Sequence, residues 1–257
     1  SGQGIYSYKN GDTYDGEFLN GMKNGQGVST LTDGNKYVGE WKNDTKDGQG
    51  KLTFGNGEKY VGDFNNNKMS GQGIYTFKND DSYNGHWKND KRDGQGTLIY
   101  SNGDKYVGDW ANDQISGDGI YSYKNGDRYD GQWKNGLIHG KGTFSNSAGD
   151  VYIGEFKNNE MSGWGNYIYK NGDTYVGEWK NDKRDGQGTL SYINGDKSNV
   201  DLCVKGIGFD VNNPILFTEA TYDSLGIGTN VLSGSYRAEL HGDGVVVDST
   251  CDTATST

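Results

Sequence analysis

Apolar and polar residues alternate in short runs around a recurring turn signal, as in Ile5-Tyr6-Ser7-Tyr8 before Asn10-Gly11 and Tyr14-Asp15-Gly16-Glu17-Phe18 after it. Period-two alternation on both sides of Asn-Gly predicts a β-hairpin. The same signal returns at Asn56-Gly57 and Asn125-Gly126. A Tyr-x-Gly-x-aromatic motif follows each turn, beginning at Tyr14, Tyr37, Tyr60, Tyr83, Tyr106, Tyr129, Tyr152 and Tyr175, with 23 residues to each step and no insertion. The aromatic two residues after the glycine is Phe18, Trp41, Phe64, Trp87, Trp110, Trp133, Phe156 or Trp179. A Gly-x-Gly pair follows at the same period, from Gly25/Gly27 to Gly186/Gly188, and Gly2/Gly4 is the remnant of one more copy. A fixed period of this length marks a tandem array in which each repeat rests on its neighbours.

Register selects the loop. A two-residue loop pairs Tyr8 with Thr13 and puts Tyr6 and Tyr14 on opposite faces. A three-residue loop, Lys9-Asn10-Gly11 with a left-handed glycine, pairs Tyr8 with Asp12, Tyr6 with Tyr14, Gly4 with Gly16 and Gly2 with Phe18. Cross-strand partners share a face, so only the second register gathers the aromatics and motif glycines on one side. Facing glycines then leave a groove in which a neighbouring aromatic lies over the backbone. At about 4.8 Å per strand, eight hairpins extend roughly 75 Å.

These residues resemble the MORN (membrane occupation and recognition nexus) repeat family, whose Tyr-x-Gly-x-Trp element followed by His/Asp-Gly-x-Gly matches residues 1–197; His139-Gly140-Lys141-Gly142 is the most literal copy of the second element, and other copies carry Asp, Ser or Asn before the first glycine. The resemblance implies an elongated, twisted, all-antiparallel sheet of tandem hairpins. It also implies protein binding, scaffolding or self-association and, in some members, membrane or phospholipid contact.

Composition sharpens the picture. The chain has 257 residues with 44 glycines, one proline and 31% hydrophobic residues, which alone would suggest disorder, but also 19 tyrosines, 8 phenylalanines and 6 tryptophans. That mixture suits a thin sheet better than a thick core. A net charge of −10 opposes nucleic acid as a partner and weighs against an anionic membrane. No apolar run approaches the roughly 20 residues of a spanning helix, and no signal-peptide pattern is visible. Because Ser1-Gly2-Gln3-Gly4 matches the middle of a repeat, an upstream piece is expected and the N-terminus gives no compartment. Cys203 and Cys251 do not make a disulfide framework.

The pattern fails where a ninth tyrosine is due: position 198 is Ser198, followed by Asn199-Val200-Asp201-Leu202. Residues 198–257 hold β-favouring runs at Leu202-Cys203-Val204, Ile215-Leu216-Phe217 and Gly244-Val245-Val246-Val247, which predict a β-rich cap or small domain. A polar tail from Asp248 to Thr257 is expected to be poorly ordered.

Three sets of residues are candidate sites. The aromatic face (Tyr37, Trp41, Tyr60, Tyr83, Trp87, Tyr106, Trp110, Tyr129, Trp133, Tyr175 and Trp179) reads as the core of a one-layer fold or as a groove for a peptide, helix or glycan. The opposite face carries Glu17, Glu40, Asp63, His86, Asp109, Gln132, Glu155 and Glu178, solvated residues facing glutamines such as Gln3, Gln26, Gln49 and Gln72 rather than an acid–base pair or cation site. Trp164 stands on that polar face opposite Glu178, where most copies have Gln, and is the outer-face contact candidate. No catalytic, cofactor or metal constellation is present: His86, His139 and His241 are scattered, and Gly206-Ile207-Gly208 lacks the helix of a nucleotide fingerprint. Asn43-Asp44-Thr45 matches a glycosylation sequon at chance level. The expected function is a non-enzymatic scaffold or adaptor that binds a protein or another copy of itself through the aromatic face, with hot-spot energy from Trp and Tyr. The alternatives are a carbohydrate- or surface-binding appendage and, less favoured by charge, a phospholipid-headgroup binder.

Overall fold

The computed structural model describes residues 1–202, 236–241 and 244–249. All of its regular elements are strands. The chain divides into two compact units, Ser1–Leu137 and Ile138–Thr257. The first contains β1 (Gly2–Ser7), β2 (Thr13–Leu19), β3 (Met22–Thr30), β4 (Lys36–Lys42), β5 (Thr45–Thr53), β6 (Lys59–Asn65), β7 (Lys68–Thr76), β8 (Ser82–Lys88), β9 (Lys91–Ile99), β10 (Lys105–Ala111), β11 (Gln114–Ser122) and β12 (Arg128–Lys134). The second contains β13 (Leu137–Ser145, its first residue apart), β14 (Val151–Lys157), β15 (Glu160–Ile168), β16 (Thr174–Lys180), β17 (Lys183–Ser191), β18 (Lys197–Leu202) and the hairpin β19 (Tyr236–His241) and β20 (Gly244–Ser249). Within each unit consecutive strands of the array pair antiparallel.

The three-residue loop and its register are as expected. Gly2 pairs with Phe18, Gly4 with Gly16 and Tyr6 with Tyr14. Tyr8 N–H donates to the Asp12 carbonyl at 2.9 Å and Gly11 N–H to the Tyr8 carbonyl at 3.0 Å. Gly11 has φ +93°, the left-handed residue that ends a type I turn in a hairpin of this length.

A second turn joins the Tyr-x-Gly-x-aromatic strand of each repeat to its Gly-x-Gly strand and is absent from the sequence reading. It is a two-residue loop with both residues left-handed, such as Asn20/Gly21 (φ 54° and 77°), Asn43/Asp44 (46° and 65°) and Asn66/Asn67 (46° and 68°). Asn followed by Gly, Asp or Asn tolerates this type I′ geometry, whose twist matches that of the strands. Asn43-Asp44-Thr45 is therefore a turn, and the Thr45 hydroxyl donates to the Lys42 carbonyl at 2.7 Å. Both long edges are stapled by these residues. The Lys23, Met69 and Arg92 N–H groups donate to Oδ1 of Asp44, Asp90 and Asp113 at 2.7, 2.8 and 2.9 Å, and on the other edge Thr32 and Ser101 N–H donate to Asp12 and Asp81 at 2.9 and 2.7 Å. Much of the acidity serves the backbone in this way.

Between β2 and β3 the ladder is not regular. Gly16 pairs with Gly27 and Phe18 with Lys23, so Glu17 faces Asn24, Gly25 and Gln26 together. Gly25 takes up the excess at φ +76°, as left-handed glycines do in bulges. The bulge recurs in β4–β5, β6–β7, β8–β9 and β10–β11, and in β14–β15 and β16–β17. It leaves the Glu17 carbonyl free of the ladder, and the Tyr14 hydroxyl donates to it at 3.0 Å. The other motif tyrosines do the same, for example Tyr60 to the Asp63 carbonyl at 2.9 Å and Tyr129 to the Gln132 carbonyl at 3.0 Å.

Pairing does not stop at residue 197. β18 continues opposite β17 in the repeat register, with Leu190 against Ser198, Gly188 against Val200 and Gly186 against Leu202. The Gly244–Val247 run lies in β20, as does the start of the tail: Asp248 and Ser249 are paired with Arg237 and Tyr236, which corrects the expectation of a disordered segment at those two positions. The Ile215-Leu216-Phe217 run, most of Leu202-Cys203-Val204, Gly206-Ile207-Gly208 and both cysteines lie outside the described residues.

Candidate functional site

The structure places the motif aromatics in the core. Tyr37, Tyr60, Tyr83, Tyr106, Tyr129 and Tyr175 are 0–2% exposed, and Trp41, Trp87, Trp110, Trp133 and Trp179 are 5–8% exposed. Tyr14, Tyr37, Tyr60, Tyr83 and Tyr106 in the first unit and Tyr152 and Tyr175 in the second lie across the glycine pair of their own and the following strand; a Cβ on Gly16 or Gly27 would collide with the Tyr14 side chain. The rings form an edge-to-face zipper through the first unit. Tyr14 meets Phe18 at 5.1 Å and Trp41 at 5.4 Å, Tyr37 meets Trp41 at 5.2 Å and Phe64 at 5.0 Å, and Tyr60 meets Phe64 at 5.1 Å and Trp87 at 5.4 Å. In the second unit Tyr152 meets Phe156 and Trp179 at 5.1 and 5.2 Å. Such pairs add about 0.5–1.5 kcal/mol each beyond area burial. Desolvation by burial, opposed by the Arg92 charge, pushes the Tyr83 phenol up to about 12. These rings form the core of the sheet, the first of the two readings that the sequence allowed for them.

Sequence reasoning missed the residue that covers them. The residue opposite each Trp or Phe, one turn beyond, lies over the core: Lys23, Lys46, Met69, Arg92 and Ile115 in the first unit, and Met161 and Arg184 opposite Phe156 and Trp179 in the second. Lys23 Nζ lies 4.5 Å from the Trp41 ring centre, Arg92 Cζ 4.2 Å from Trp110 and Arg184 Cζ 5.0 Å from Tyr175. A long side chain can spread its stem over apolar rings and supply a cation–π contact at its head. Burial lowers the Lys46 amine. Each stands two residues before the first motif glycine, so period-two alternation already puts it on the aromatic face; what the alternation does not show is that the bulge sets it opposite the Trp or Phe.

What remains open on the aromatic face is its turn edge. Beside the hairpin loops of the first unit stand two three-ring clusters. In one, Tyr75 lies 5.8 Å from Phe54 and 4.7 Å from Phe77; in the other, Tyr121 lies 5.9 Å from Tyr100 and 4.5 Å from Tyr123. Tyr75 is buried, and the other five rings are half-buried. Each cluster leans on a core tryptophan, Tyr75 on Trp87 at 5.7 Å and Tyr121 on Trp133 at 6.1 Å. Each central tyrosine donates to a carboxylate of the preceding hairpin, Tyr75 to Glu58 at 2.7 Å and Tyr121 to Asp104 at 3.1 Å. The Asn56 amide and then the Tyr75 hydroxyl hold Glu58 below the usual carboxylate range; the Lys124 N–H, Asn102 and Tyr121 do the same for Asp104. The second unit has a related group, Tyr167 with Tyr169 at 4.7 Å and Trp179 at 5.7 Å, its hydroxyl on Asp150 at 3.1 Å.

On the opposite face the acidic ladder has a structural duty beyond solvation. Glu17 accepts the Gln26 N–H at 2.9 Å and Asp63 the Gln72 N–H at 2.8 Å, so these carboxylates cap the bulges. The expected glutamine neighbours are present: Gln49 donates to Asp63, and Gln72 meets His86 at 2.7 Å. Trp164 is 56% exposed and pairs across strands with Glu178. Among the described residues, no group of three or more His, Cys, Asp or Glu is placed to hold a metal ion. Among the described residues no helix is long and apolar enough to cross a membrane.

Comparison with known proteins agrees with the repeat boundaries. The family profile for the MORN repeat matches residues 1–13, 14–36, 37–59, 60–82, 83–105, 106–128, 129–151, 152–174 and 175–197. No curated protein matches the chain. Among solved structures, the wild-type TCP10 domain of Danio rerio CPAP aligns at 10% identity and TM-score 0.46, covering 77% of this chain and 93% of that one. The SAS-4 (dCPAP) TCP domain of Drosophila melanogaster, in complex with a proline-rich motif of Ana2, aligns at 12% identity and TM-score 0.29, covering 77% and 88%. With nine consecutive matches from residue 1 to residue 197, the chain belongs to the MORN repeat family.

Proposed function

We propose that this chain is a non-enzymatic scaffold that holds a protein segment along the turn edge of its aromatic face. One observation carries the reading: after the glycine grooves have taken the motif tyrosines into the core, two clusters of rings remain half-exposed beside ionised carboxylates. A rigid aromatic with a polar tip supplies contact area at little entropic cost, which is why Tyr and Trp recur as interface anchors. The binding residues are then Phe77, Tyr100, Tyr121 and Tyr123, not the motif Tyr and Trp.

A library of random 16-residue peptides displayed on phage tests this. Binders should be enriched that lose affinity when Tyr100 and Tyr123 are changed to Ser in a chain that still melts cooperatively. Binders indifferent to those changes, or binding of glycans but of no peptide by the same surface, would refute it.

A further inference from the structure

We infer that the occupant of this strip is an extended polyproline II segment carrying a basic residue at every third position. The inference rests on the scaffold reading above and adds the chemistry of the partner. Consecutive hairpins of the first unit place one ring (Phe54, Phe77, Tyr100, Tyr123) and one carboxylate (Glu58, Asp81, Asp104) at equivalent positions. Two strands separate each from the next, a step of about 9.6 Å. A polyproline II helix repeats every three residues, a step of about 9.3 Å. An α-helix brings the same side round after seven residues, about 10.5 Å. Over three hairpins the helix drifts by about 3 Å and the polyproline segment by about 1 Å, so only the latter stays in register with rings and charges.

The backbone argument points the same way. The strip lies on a sheet face, where the N–H and C=O groups are already paired along the ladder, so an added β-strand finds no partners there. A polyproline II backbone has no internal hydrogen bonds and remains solvated, and it docks on aromatic-lined grooves. The central rings add a longer period. Tyr75 and Tyr121 are 46 residues apart, which is four strands, or about 19 Å, two turns of the same helix.

Charge sets the sign of the guest. Glu58 and Asp104 are kept ionised largely by neutral donors, with Lys78 and Lys124 at the adjacent loops contributing a smaller attraction. The carboxylate of Asp81 is raised by partial desolvation but lowered on balance by the Ser101 N–H and Asn79. With a net charge of −10 for the chain, arginine or lysine on the segment is drawn to this row.

Fluorescence anisotropy on the full chain tests the inference, using a fluorescein-labelled peptide of four Pro-Pro-Arg triplets and one of four Gly-Ser-Arg triplets. The proline peptide should bind about tenfold more tightly or better. Its affinity should fall several-fold between about 0.05 and 0.5 M NaCl. It should weaken about tenfold with Tyr100→Ser or Tyr123→Ser, more modestly with Glu58→Gln, which keeps an acceptor for Asn56 and Tyr75, and not at all with Trp164→Gln. Equal binding of the two peptides, no binding of either, or affinity unchanged by the ring variants would overturn the inference. If displayed peptides without proline bind and are lost with the ring variants, the inference fails and the scaffold reading stands. If displayed peptides ignore those variants, both fail.

Discussion

The aromatic face contains two populations of rings that differ in what lies beside them. At the centre, Tyr60 has Gly62 and Gly73 beneath it, lies across their backbones and is fully buried, its hydroxyl on a carbonyl that the bulge sets free. At the turn edge, Tyr100 and Tyr123 have no such glycine pair and remain half-exposed. The same residue type on the same face is core in one place and surface in the other. A missing side chain on the neighbouring strand decides which, because a ring that can lie down on bare backbone loses its exposure to water within a single layer.

Alkaline titration should break the comparison most completely. Burial raises the motif phenols, Tyr83, Tyr152 and Tyr175 to about 12. A group with a raised folded pKa stabilises fully below its unfolded value near 10 and loses that contribution as pH climbs towards the folded value. Cooperative unfolding is therefore expected between about pH 10 and 12, with phenolate absorbance from the motif tyrosines appearing only with it. Next in size is a pair of truncations read by chemical denaturation. Trp87→Ala, in the zipper, should cost about 3–5 kcal/mol; Phe77→Ala, at the edge, should cost less than half of that, and equal losses would erase the distinction. Gly73→Ala sharpens the cause, since its methyl lands on the Tyr60 ring; overpacking of this kind should cost about 1–3 kcal/mol in the same assay. The smallest effect belongs to the outer face, where Trp164→Gln restores the residue of most other copies and should shift stability by no more than about 0.5 kcal/mol.

The repeat period, the three-residue loop and the shared face of tyrosine and glycine were legible in the sequence, because only one register puts Tyr6 with Tyr14 and Gly4 with Gly16. The exposed position of Trp164 followed from the same alternation. The second turn was missed throughout, even at Asn20-Gly21 where the Asn-Gly signal is present, and Asn43-Asp44 and Asn66-Asn67 carry it in a less recognisable form. The bulge was the costlier miss. One residue facing three changes which side chains meet, so Lys23 and Arg92 went unread as covers over Trp41 and Trp110, and Glu17, read as a solvated carboxylate, also serves as a cap. Which rings of the aromatic face stay accessible was not legible for a related reason. Alternation tells which face a ring is on, but whether it lies flat depends on the glycines of the next strand across the bulge.

Nitration of the native chain by tetranitromethane, with each tyrosine followed by peptide mass spectrometry, tests this division most directly. Tyr60, Tyr83, Tyr106 and Tyr129 should resist modification while Tyr100 and Tyr123 react, alongside the exposed Tyr6 as an internal standard. Comparable labelling of both groups in folded protein would contradict the account, because it would mean that the glycine grooves do not hold the motif rings out of water.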